Sequence, residues 1–98
     1  MTLIDATTTG PVRRWSGEAA WYFLTVDPEL SDEIRERTVR AGFGSVRVRA
    51  TIGATTWETS VFPDAASGCF VLPVKAAVRR AEDIDDGTTV TARLVITS

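Results

Sequence analysis

Residues 45–62, Ser45-Val46-Arg47-Val48-Arg49-Ala50-Thr51-Ile52-Gly53-Ala54-Thr55-Thr56-Trp57-Glu58-Thr59-Ser60-Val61-Phe62, decide the fold class. Val46, Val48, Ala50 and Ile52 alternate with Ser45, Arg47, Arg49 and Thr51. An extended chain with this pattern has one dry face and one wet face. Gly53-Ala54 suits a two-residue hairpin with glycine at its first central position, and residues 55–62 return as the partner strand. Trp57, Thr59 and Val61 share one face of that partner, with Glu58, Ser60 and Phe62 on the other. Phe62 is thus an apolar residue on the polar side.

The same period recurs towards the C-terminus. Asp85-Asp86-Gly87 reads as a turn, after which residues 88–97 form a strand with Val90, Ala92, Leu94 and Ile96 facing one way and Thr89, Thr91, Arg93 and Val95 the other. Upstream, residues 12–15 and 21–26 read as two strands around a turn at Ser16-Gly17-Glu18, the second rich in aromatic β-formers and ended by Asp27-Pro28. Cys69 to Leu72 is a short continuous apolar run, as in strands covered on both faces.

Two helices interrupt the strands. Ser31 is placed to cap a helix over residues 31–40, with Leu30, Ile34, Val39 and Ala41 as its apolar stripe, Glu33 and Arg37 as an i,i+4 pair, and Gly42 as its terminator. Pro73 suits the first position of a second helix, in which Val74, Ala77, Val78 and Ala81 form the stripe. Residues 1–9, rich in Thr and followed by Gly10-Pro11, read as a flexible N-terminal tail, leaving 10–98 as one β-barrel domain.

An order of strand, proline, helix, glycine-containing turn and alternating strand occurs twice, around Pro28 and Pro73. Neither unit covers an apolar face by itself, but the two paired about a pseudo-two-fold close a shared core. The expected fold is therefore mainly β, a small closed or split barrel of about six strands with two short helices.

Composition narrows the function classes. The chain has 98 residues, enough for one core, and a formal charge of −2 that lacks the basic balance of a nucleic-acid binder. Lys75 is the only lysine beside ten arginines, a bias that fits a GC-rich genome. One cysteine, Cys69, rules out an intramolecular disulfide and fits a reducing compartment. No stretch approaches the ~18 apolar residues of a membrane helix, and the N-terminus has no secretory pattern. The expectation is a cytoplasmic protein with neither a nucleic-acid nor a membrane partner.

The ordered segments Trp21-Tyr22-Phe23-Leu24, Asp27-Pro28, Val46-Arg47-Val48, Ile52-Gly53, Thr59-Ser60-Val61, Phe70-Val71-Leu72-Pro73-Val74-Lys75, Val78-Arg79-Arg80-Ala81 and Gly87-Thr88-Thr89-Val90 carry a resemblance. Over residues 12–97 the chain resembles the domain-of-unknown-function 1905 family. The resemblance implies a small bacterial β-barrel, sometimes fused to a YdeI/OmpD-associated domain, and brings no activity and no catalytic residues. Ala19-Ala20 stands where such proteins often have glycine before the tryptophan, and Thr88 where aspartate commonly follows the glycine.

No catalytic constellation is legible. The absence of histidine removes the usual general base and the commonest transition-metal ligand, so neither a metal nor a cofactor is expected. Apolar neighbours make Cys69 a structural thiol, and the acidic run Glu82, Asp83, Asp85 and Asp86 lacks the spacing of a calcium loop. What remains is an arginine stripe, Arg47 and Arg49 joined by Arg93, which competes with a solvated strand face paired to Glu58. Trp15, Trp21, Trp57, Tyr22, Phe43 and Phe62 are many aromatics for a short chain, either core or the wall of a barrel mouth. The leading expectation is a non-enzymatic binding or interaction module. The alternative is a small-ligand barrel in which Arg47, Arg49, Arg93 and Trp57 hold an anionic, partly apolar molecule, with a hydrolase a distant third.

Overall fold

A computed structural model describes residues 1–17, 21–38 and 44–98. Six strands and two helices follow in the order β1 (Thr2–Trp15), β2 (Trp21–Thr25), α1 (Pro28–Arg37), β3 (Val46–Ile52), β4 (Thr55–Pro63), β5 (Phe70–Pro73), α2 (Ala76–Glu82) and β6 (Thr89–Thr97). The strands close into an antiparallel barrel in the order β1-β2-β5-β4-β3-β6. The alternating faces read from the sequence point as expected: Val48, Ala50, Ile52, Val61, Ala92, Leu94 and Ile96 are all in the core. Gly53 has φ +57, the left-handed region that the first position of a primed two-residue turn needs, and Ile52 pairs with Thr55 across it.

Three expectations are corrected. Residues 1–9 are not a tail: they belong to β1, which pairs with β6 from Ile4↔Ile96 to Pro11↔Thr89. Thr-rich sequence is good strand sequence, since β-branched side chains fit a pleated surface. Ile4 and Thr8 are buried on its inner face. Gly10-Pro11 does not break the strand but marks where β1 passes from its partner β6 to its partner β2, at Val12↔Leu24.

The first helix starts at Pro28, with Asp27 as its cap through a 2.9 Å bond from the Leu30 amide to Asp27 Oδ1. Ser31 is therefore not the cap; it lies one turn inside and is fully buried. Leu30 and Ile34 face the core, and Arg37 meets Glu33 at 3.3 Å. The expected stripe positions Val39 and Ala41 and the terminator Gly42 lie outside the described residues, as does part of the turn at Glu18. Pro73, expected to open the second helix, is instead the last residue of β5, opposite Phe23. The helix begins three residues later, and of its expected stripe only Val74 and Val78 are buried, Val74 in the link between β5 and α2.

The barrel has an internal two-fold topology. Exchanging β1 with β4, β2 with β5 and β3 with β6 reproduces the closed strand order. The bond from the Val26 amide to Phe70 O (2.8 Å) has its counterpart in that from the Val74 amide to Tyr22 O (2.9 Å). Val26 thus corresponds to Val74, and Pro28 does not correspond to Pro73.

Candidate functional site

The arginine stripe lies on the outer face of the barrel. Arg47 and Arg49 border a shallow groove of about 170 Å³ with Glu58, Val95 and Thr97. Arg49 pairs with Glu58 across the β3–β4 ladder at 3.2 Å. Arg93 is held by Asp5 through two bonds of 2.8 and 2.6 Å. That fork lowers the Asp5 pKa chiefly by hydrogen bonding, with desolvation the next largest effect and opposed to it and the Arg93 charge adding a smaller lowering; it raises the Arg93 pKa by hydrogen bonding and then by charge. Both groups are solvent-exposed, so the pair is a modest surface contact. Trp57 lies on the inner face and is buried, so its indole does not wall the groove that Arg47 and Arg49 share.

The acidic run is structural. Glu82 Oε2 accepts from Thr55 Oγ1 at 2.6 Å, and a side chain at Gly53 would collide with the Glu82 carboxylate. Asp83 sits in the left-handed region at the end of α2. Asp86 Oδ1 accepts from the Arg14 amide at 3.0 Å, and Asp85 and Thr88 close the turn between them. Among the described residues, no group of three or more His, Cys, Asp and Glu is arranged to hold a metal. Cys69 is a buried free thiol.

Sequence reasoning did not select the feature that distinguishes this surface. On the outer side of β1, β2, β5 and β4, cross-strand pairing builds apolar rows: Trp15 opposite Trp21, Phe23 opposite Pro73, and Thr25 opposite Val71, which is opposite Phe62. Trp15, Trp21 and Phe62 are 63, 53 and 41% exposed. Phe23 joins them, edge-on to Trp15 at 5.4 Å and stacked on Trp21 at 6.1 Å with an interplanar angle of 6°. These rings line an open cleft of about 370 Å³. A neighbouring hollow of about 170 Å³ shares Trp15, Phe23, Val71 and Asp64 with the cleft and adds Arg13 and Arg14. Asp64 is turned to its own loop, where Oδ2 accepts from the Ser67 amide at 3.2 Å, and none of the ion pairs among the described residues involves Arg13 or Arg14. The cleft therefore has an aromatic floor with the Asp64 carboxylate at its border, and the two cations of the adjoining hollow outnumber that carboxylate. The signal was Phe62, whose apolar ring sits at an outward position.

These features define a closed six-stranded antiparallel barrel with two helices whose outer face carries exposed aromatic rings. No described helix is long and apolar enough to cross a membrane. The model of the domain of unknown function DUF1905 matches residues 9–94, nearly the whole chain, and the chain belongs to that family. No curated protein matches it.

Proposed function

We propose that this chain is a non-enzymatic, cytosolic interaction module that docks an acidic, apolar polypeptide segment on the aromatic face of β1, β2, β5 and β4. The contiguous exposure of Trp15, Trp21 and Phe62 around Phe23 carries the reading. Scattered surface apolar residues are ordinary, but a continuous apolar patch with a polar rim is the usual mark of an interaction site. Trp is also the residue most enriched among those that dominate binding energy.

The fold limits how a partner docks. Every strand has two neighbours in the closed order, and β1, β2, β5 and β4 are paired with one another across the aromatic face, so a partner seated on that face meets side chains rather than a strand edge. The occupant must bring its own satisfied or solvated backbone, as a helix or a polyproline-like segment does, and bind through side chains. Arg13 and Arg14 in the adjoining hollow, two cations beside the single carboxylate of Asp64, favour carboxylates next to the apolar anchors.

The test is selection of a displayed random dodecapeptide library on the full chain, counter-selected on a Trp15→Ala/Trp21→Ala double variant. Enrichment of sequences joining Asp or Glu to aromatic, aliphatic or proline residues is expected. Peptides retained equally by the double variant would refute the docking face.

A further inference from the structure

The two halves of the barrel differ where each helix meets its strands. Carrying the two-fold correspondence of Val26 with Val74 through the strand pairs matches Thr8 with Trp57, and along the helices it matches Asp27 with Lys75 and Ser31 with Arg79. In the first half these residues sew α1 to the barrel. Thr8 Oγ1 accepts from the Asp27 amide at 3.0 Å, while Ser31 Oγ donates to Val26 O at 3.2 Å and accepts from the Phe70 amide at 3.0 Å.

In the second half the same positions build a cleft. Arg79 Nε donates to Val74 O at 3.1 Å, the counterpart of the Ser31–Val26 bond, and its guanidinium carbon lies 3.7 Å from the centre of the Tyr22 ring. Lys75 gives its helix no side-chain cap. Between α2 and β4 lies a volume of about 360 Å³ bordered by Trp21, Tyr22, Trp57, Lys75 and Arg79. Glu58 also borders it but is paired with Arg49, whereas no described carboxylate pairs with Lys75 or Arg79.

We propose that this cleft binds a small planar aromatic anion. Arg79 is pinned by its Nε bond and by the Tyr22 ring, which leaves its Nη groups as a fixed fork for a carboxylate or phosphate, with Lys75 as a second charge. The exposed indole of Trp21 supplies a stacking wall, and the buried indole of Trp57 borders the cleft from the barrel side. A pair of seam positions that in one half are small and hydrogen-bonded into the fold, and in the other are a cation and an indole, departs from the repeat where a site would require it. This inference is independent of the docking face, although Trp21 borders both.

The test uses the full chain, 2-naphthoate, 1-naphthyl phosphate and the neutral 2-naphthamide, read at the tryptophan indole N–H signals by NMR. At least one anion is expected to move the Trp57 and Trp21 signals saturably, with the amide about tenfold weaker or worse. Which anion binds tells whether a carboxylate or a phosphate is the recognised group. Arg79→Met should weaken binding by about tenfold or more. Because Arg79 also contacts the barrel, Lys75→Glu at an exposed position supplies a variant independent of folding, with affinity expected to fall about threefold or more under an unchanged spectrum. Equal binding of amide and anions, unchanged affinity in Lys75→Glu, or no movement of Trp57 at about 5 mM of either anion would overturn the assignment.

Discussion

The Phe70 amide of β5 donates to Ser31 Oγ of α1 at 3.0 Å, and neither residue is exposed to solvent. The same hydroxyl donates to Val26 O at 3.2 Å, so one side chain ties the helix to β5 and to the residue that follows β2. Ser31→Ala strands a buried N–H and is expected to cost about 1–3 kcal/mol in chemical denaturation. A loss under about 0.5 kcal/mol would show that the bond contributes little to the fold.

Much of this architecture is legible in the sequence because it rests on period. Val46 to Ile52 and Val90 to Ile96 alternate strictly, and a one-residue slip would turn every side chain to the other face. Prolines and caps were less legible. Asp27 and Ser31 are both chemically competent N-caps, and only the docking of α1 over Val26 and Phe70 decides that Ser31 is buried. Pro73 reads equally as a helix start or a strand end, and its place opposite Phe23 is set by a neighbour distant in sequence. Alternation puts Arg47 and Arg49 on the wet face of β3 and Trp57 with Val61 on the dry face of β4, so the sequence alone separates Trp57 from the arginine stripe. The exposed pair of Trp15 and Trp21 depends on the β1–β2 register, which no local pattern specifies.

Deleting residues 1–9 tests the corrected N-terminus. The deletion removes Ile4 and Thr8 from the core and leaves β6 without most of its β1 partner. Burying one such aliphatic side chain contributes about 1.5–3 kcal/mol, and the lost ladder adds to it. The truncated chain is expected to melt well below the full chain or to aggregate through the opened edge. An unchanged melting temperature would restore the tail reading.

Leu94 is fully buried on β6 opposite Ala50 of β3. Leu94→Ala is expected to cost about 2–5 kcal/mol, from lost burial and the residual cavity. Denaturant titration measures it, and near-zero loss would place Leu94 outside the core.

Asp5 and Arg93 give the fold a specific acid sensitivity. The Asp5 pKa is lowered in the folded chain, so the pair contributes stability above the unfolded carboxylate pKa, and that contribution fades as pH falls through the lower folded value. The Arg93 shift is upward from an already high value and does not act in the same range. Asp5→Asn should therefore lower the urea midpoint slightly at pH 7, with the gap to the parent chain closing under strongly acidic conditions. A gap that persists or widens in acid would contradict this linkage.

The most direct measurement of the docking face is the affinity of the most enriched dodecapeptide for the parent chain, Trp15→Ala and Trp21→Ala, by calorimetry beside denaturation curves for all three. Both tryptophans are more than half exposed, so each truncation should leave stability within about 1 kcal/mol. Each should weaken the peptide about thirtyfold, the loss of a central aromatic anchor. Equal affinity for all three stably folded chains would contradict the account and place the partner's surface elsewhere on the barrel.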